Sequence, residues 1–205
     1  SNDYAIYLSQ SNDNHLIDNE IVPLFDINGA AIGDSFNKQG ILLVNSERNE
    51  LLQNKVISEF NGITLINSHH NWVGKDDEET GNDIISNNVG VSLQSSGDND
   101  VKRNTLLANR QTGITLLSES ANNKIEKNEV RNSATGISVD HSPDNKLRGN
   151  RILQNDVGVA VIASPTLTME GNNLVNGNKK GLSIQRSSVT IHINNSIISY
   201  CKYKF

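Results

Sequence analysis

A right-handed parallel β-helix is the fold this sequence predicts, and three observations predict it. A small residue followed by alternating aliphatics keeps returning, at Gly40, Gly62, Gly90, Gly113, Gly136, Gly158 and Gly181, with spacings of 22, 28, 23, 23, 22 and 23 and with Ala5 opening an earlier copy. Serine and asparagine recur at fixed offsets inside the copies. No apolar segment is long enough for a helix, and β-branched residues dominate the short ones.

The first segment of each copy places Ile6, Ile41, Ile63, Val91, Ile114, Ile137, Val159 or Leu182 after the small residue, with Leu8, Leu43, Leu65, Leu93, Leu116, Val139, Val161 or Ile184 two further on. That alternation is a strand with one buried face. A serine column follows, from Ser11 through Ser46, Ser68, Ser96, Ser120, Ser142 and Ser164 to Ser187. Next comes an asparagine column (Asn14, Asn49, Asn71, Asn99, Asn123, Asn145) that Leu167 and Thr190 break. A second column runs through Asn19, Asn54, Asn82, Asn104, Asn128, Asn150, Asn172 and Asn195, and two residues past it sit aliphatics such as Val56, Ile84, Val130, Ile152 and Leu174.

Each copy therefore holds three short apolar segments separated by polar corners. A leucine-rich repeat has a similar period, but it needs a helix or its equivalent on the outer side, and nothing here supplies one. Three parallel strands per coil, stacked about 4.8 Å apart, satisfy the pattern, and eight coils make a rod of roughly 38 Å. Parallel crossovers are right-handed by default. The corner asparagines suit this arrangement: Asn tolerates the left-handed backbone conformation, and its amide can pair with the Asn one coil away. The expectation is one solenoid domain over residues 1–205, with insertions at about 23–38 and 72–81.

Composition agrees. A hydrophobic fraction of 35% with 4% aromatics suits a thin aliphatic column better than a compact globule, and 20% charged residues are too few for a disordered chain. A formal charge of −5 argues against nucleic acid as the main partner. Cys201 stands alone, so no internal disulfide forms. No run is long and apolar enough to insert in a membrane. The opening SNDYAIYL enters a repeat almost at once, so the expectation is upstream coils of the same chain or an end-to-end contact between copies. The aromatic tail SYCKYKF is expected to cover the other end.

The pattern GITL, as at Gly62–Leu65 and Gly113–Leu116, followed by the Ser and Asn columns, resembles the parallel β-helix repeat family over Ala5 to about Ile198. That family includes NosD-type periplasmic copper-accessory proteins and the carbohydrate-binding proteins and sugar hydrolases of the pectate-lyase-like fold. The resemblance implies an extracellular, cell-surface or periplasmic protein working on extended polysaccharides. Members use lyase, hydrolase or uronate-epimerase chemistry, or only bind, or serve as rods.

Departures from the repeat are where function would sit. The corner before the first Asn column reads Glu47-Arg48, His69-His70 and Gly97-Asp98 in successive coils. Stacked in register, these form a strip in which a His could act as base, a carboxylate as its partner, and Arg48 as the clamp for a sugar carboxylate. Asp140-His141, in SVDHSPD, is faintly similar to the WIDH strand of pectate lyases and the DPH element of mannuronan epimerases, and is a second candidate pair. Trp72 and Lys75 could hold a sugar ring, and Lys102, Arg103, Lys124, Lys127, Lys146 and Arg148 fall on one side of three consecutive coils, where they could track an anionic glycan. Asp76, Asp77, Glu78 and Glu79 could hold calcium through oxygen ligands, though without EF-hand spacing. The sequence thus reads as a secreted or surface module that binds, and could modify, a polysaccharide. A structural or adhesive spacer is one alternative. A NosD-type metal-accessory role is another, with paired histidines but no Cys/Met cluster. Whether it is an enzyme stays open; lyase or epimerase chemistry fits the residues better than hydrolysis.

Overall fold

A computed structural model describes residues 3–23, 38–57, 60–77, 79–171, 173–192 and 195–199. Among them every helix or strand is a strand, and the strands join into three parallel sheets of eight. Coils 1 to 8 open with Tyr4–Ser9, Gln39–Val44, Asn61–Ile66, Val89–Gln94, Thr112–Leu117, Thr135–Asp140, Val157–Ile162 and Lys180–Gln185, which together form the first side. The second side runs from His15–Ile17 through Glu50–Leu52, Trp72–Val73, Asp100–Lys102, Lys124–Glu126, Lys146–Arg148 and Leu167–Glu170 to Val189–Ile191. The third runs from Glu20–Ile21 to Ser196–Ser199.

The register is the one the columns predict, with Ile41 beside Ile63, Ile63 beside Val91 and Val91 beside Ile114. These residues form one continuous core with Leu51, Val56, Ile84, Leu106, Ile125, Val130 and Ile152, all fully buried. Removing such a side chain from water stabilises by about 1.5–3 kcal/mol. The glycines begin the first strand because the third side passes close: a Cβ on Gly113 would sit 2.2 Å from Val130 Cγ1 and 2.7 Å from the carbonyl of Gly136.

The polar columns are hydrogen-bonded ladders. Asn104 donates from its backbone N–H and from Nδ2 to Oδ1 of Asn128 (both 3.0 Å), and Asn128 repeats the pattern to Asn150 at 3.0 and 3.1 Å. Nδ2 of Asn128 also donates to the carbonyl of Val101 at 2.8 Å. Serine N–H groups donate to the next serine Oγ, as Ser46 does to Ser68 at 3.1 Å.

Four details differ from expectation. The left-handed conformation falls on the residue before most of the described ladder Asn, as at Arg48, His70, Asp98, Arg103 and Lys127, and leaves the Asn free to bond along the axis. Asn172 lies outside the described residues, and Asn173 takes the ladder position, because the corner after Gly171 is one residue longer. The core position two beyond is accordingly Val175, not Leu174. Where the first Asn column lapses, Leu167 stacks on Val189, and Thr190 lies one residue on. A third ladder, unseen in the sequence, joins Asn87 to Asn109 and Asn155 to Asn178, with Ser133 between. Residues 24–37, most of the first insertion, and the tail 200–205 lie outside the described residues.

Candidate functional site

The corner between the first and second sides stacks as the sequence indicated. Asp13, Arg48, His70, Asp98, Asn122 and Asp144 all take the left-handed conformation at this corner, in coils 1 to 6. Because every one of these coils adopts it, the strained backbone belongs to the fold and does not mark a site. Arg48 is committed: Nε and Nη2 donate to the two oxygens of Asp13 at 2.8 and 2.9 Å, and Nη1 lies 3.3 Å from Glu47 Oε2. The hydrogen bond from Arg48 holds the Asp13 carboxyl below the usual range. This pairing ties the guanidinium to coil 1 and removes it as a clamp beside the histidines of coil 3. His69 accepts from the Gly97 N–H at Nδ1, 3.1 Å away, which places the proton of its neutral ring on Nε2. His70 and Asp98 carry no side-chain partner among the described residues and face a cleft of about 380 Å³ that also reaches Lys124 and Lys146.

On the second side, strand alternation sends two columns outward. One contains Glu50, Trp72, Asp100, Lys124 and Lys146; the other contains Lys102, Glu126, Arg148 and Glu170. The cations in them differ sharply. Lys102 is only 8% exposed and lies 3.0 Å from Asp100, 3.1 Å from Asp76 and 3.5 Å from Glu126. Burial works against its charge, but hydrogen bonds to Asp100 and Asp76 and the charge of Glu126 outweigh it and raise the pKa. Lys102 is therefore part of the framework and not an open binding cation. Lys127 is held by Asp76 at 3.0 Å, and Lys124 stands 3.7 Å from Asp100. Arg103 has its Nε buried without a partner. Lys75 lies 2.5 Å from Glu50 and 5.1 Å from the centre of the Trp72 ring, so it covers the face a sugar would use. Lys146 and Arg148 remain: they leave the same strand on the same face and form no side-chain hydrogen bond or ion pair among the described residues. Arg148 stands between Glu126 and Glu170 in the ladder and pairs with neither. Lys146 lines the 380 Å³ cleft, and Arg148 lines a second of about 470 Å³ whose wall includes Gly149 and Gly171.

The described residues of the acidic loop do not converge as an ion cage. Asp76 points its carboxylate at Lys102 and Lys127, Asp77 and Glu79 are exposed, and Glu78 lies outside the described residues. No group of three His, Cys, Asp or Glu side chains converges among the described residues. Asp140 and His141 do meet, with Oδ1 and Nδ1 2.6 Å apart at the outer end of the coil 6 strand, leaving Nε2 as the free ring nitrogen. Which cations would be neutralised could not be read from the sequence, because Asp76 acts across 26 and 51 residues of chain. That Lys146 and Arg148 share a strand face was readable from their i, i+2 spacing.

This chain belongs to the right handed beta helix region family, whose profile matches residues 73–204. No curated protein matches it in sequence. Among solved structures it is similar to a variant of the periplasmic alginate epimerase AlgG, with a TM-score of 0.74 and 23% identity, covering 96% of this chain and 48% of that one. AlgG without the substitution gives 0.68 and 22%, covering 92% and 48%. The chain thus spans about half the length of these neighbours, and the likeness is one of fold. No helix among the described residues is long and apolar enough to cross a membrane.

Proposed function

We propose that the protein is a binding module for an extended anionic polysaccharide of the uronate type, held across the second side with Lys146 and Arg148 as its anchoring cations. The observation that carries this reading is their pairing state. In a face where other lysines are neutralised by carboxylates, these two stand on one strand, without a partner among the described residues, each opening into a cleft. A guanidinium suits the planar fork of a sugar carboxylate, and an ammonium serves a second one as a point charge. The glycine wall of the Arg148 cleft lets a ring approach the backbone. Similarity in fold to a periplasmic alginate epimerase supports a polysaccharide ligand and an extracellular, surface or periplasmic setting. Binding is favoured over catalysis at this face because His70 sits in coil 3 and Lys146 in coil 6, three spacings or about 14 Å apart along the axis.

The test is a titration with uronate-rich and neutral oligosaccharides of equal length. Saturable binding of the uronates alone, weakened by added salt, is expected; equal response to both, or none, would refute it. A second reading rests on the Asp140–His141 contact, whose geometry suits a base oriented by a carboxylate. It predicts new unsaturated or epimerised sugar signals in a real-time NMR assay, abolished by His141→Ala.

A further inference from the structure

The carboxylate of Asp76 behaves like a ligand already in place. It comes from the insertion in coil 3, and it spans two coils: Oδ2 lies 3.1 Å from Lys102 Nζ and Oδ1 lies 3.0 Å from Lys127 Nζ. One oxygen to each lysine is how a sugar carboxylate would be held on this face. The side chain is 58% exposed, so its release needs no unpacking of the core. Nor does release orphan the buried lysine, because Lys102 keeps Asp100 and Glu126. Lys127 is different: among the described residues Asp76 is its sole ion-pair partner, and removing it would free a third cation beside Arg148.

Asp76 also divides two clefts. It lines the 470 Å³ cleft that contains Lys127 and Arg148, and it lines another of about 250 Å³ that contains Trp72, Lys75 and Lys102. With Asp76 turned away, the two would join into one channel running from the indole to the free guanidinium. We infer that Asp76 is an intramolecular latch occupying a carboxylate subsite at Lys127, and that a uronate carboxylate displaces it to enter a channel extending from Arg148 to Trp72.

This inference rests on the polysaccharide-binding reading, and the experiment separates their failures. Binding of a hexa-uronate is measured by calorimetry for the unaltered chain, Asp76→Asn, Asp76→Asn with Arg148→Ala, and Asp18→Asn. The last removes one exposed carboxylate far from the clefts and controls for net charge. Exposed pairs of this kind are each worth up to about 1 kcal/mol, so Asp76→Asn is expected to bind about three- to tenfold tighter. Asp18→Asn should change affinity less than twofold, and Arg148→Ala should cancel the gain. If Asp76→Asn and the unaltered chain bind equally, the latch is overturned and the binding reading stands. A gain matched by Asp18→Asn, or one that survives Arg148→Ala, is general electrostatics and overturns the latch as well. No binding by any variant removes both.

Discussion

The buried corner ladders and the outer face of the second side are built by the same stacking, yet they treat polar groups in opposite ways. In the ladder, Asn128 receives both donors of Asn104 and gives its own to Asn150 and Val101. On the outer face, the register sets Arg148 between two glutamates without an ion pair and leaves Lys146 unpaired. Identical residues repeated at one spacing satisfy one another. Charged residues that vary from coil to coil are satisfied only where sign and reach happen to match. The scaffold therefore lies in the repetition, and the candidate site lies where repetition leaves charge over.

Breaking the ladder should have the largest effect. Asn128→Ala would leave the N–H of Asn104 unpaired in the interior, take one of the two acceptors from its Nδ2, which keeps the Val73 carbonyl, and remove a donor from the carbonyl of Val101; a loss of about 2–4 kcal/mol is expected in chemical unfolding. A loss below about 1 kcal/mol would mean the ladder is incidental to stability. The contrasting change, Lys146→Ala with Arg148→Ala, should leave stability within about 0.5 kcal/mol and weaken oligo-uronate binding tenfold or more. A large drop in melting temperature would show these cations to be structural after all.

The comparison can also be sharpened in the other direction. Ser133 interrupts the third ladder, where its buried Oγ has no partner. Ser133→Asn should supply the missing amide and add about 1 kcal/mol, seen as a higher melting temperature. The smallest effect concerns Glu50, whose pKa is lowered by the hydrogen bond from Lys75 and, less strongly, by His15. Because its folded pKa lies below the ordinary 4.5, its contribution is present above that value and disappears as pH falls through the folded pKa. Glu50→Gln should therefore lower stability at neutral pH by less than about 1 kcal/mol, leave it unchanged well below the folded pKa, and so flatten the acid limb.

The same contrast explains what could be read in advance. Gly113, Ile114, Leu116 and Asn128 announce themselves because each has counterparts at one period, and a column needs only counting. The third ladder escaped because coil 4 ends with an extra residue between Asn109 and Gly113, and in coil 5 Ser133 replaces the Asn. Asn173 was missed by one position because the corner after Gly171 is longer. The corner strip of Glu47, Arg48, His69, His70 and Asp98 was legible as a stack but not as a set of contacts. Arg48 could turn to coil 1 or coil 3, and Asp13 decided it. Lys102 looked like any basic residue until Asp76, brought over from the loop of coil 3, enclosed it with Asp100 and Glu126.

The central claim is that ligand binding is confined to the second side and leaves the ladders untouched. Amide chemical-shift mapping of the labelled protein during titration with a hexa-uronate tests it most directly. The account predicts perturbations clustered on Lys124, Lys127, Lys146, Arg148, Gly149 and Gly171, with Asn104, Asn128 and Asn150 unmoved. Perturbations centred on Asp140 and His141, or spread evenly along the solenoid, would contradict it.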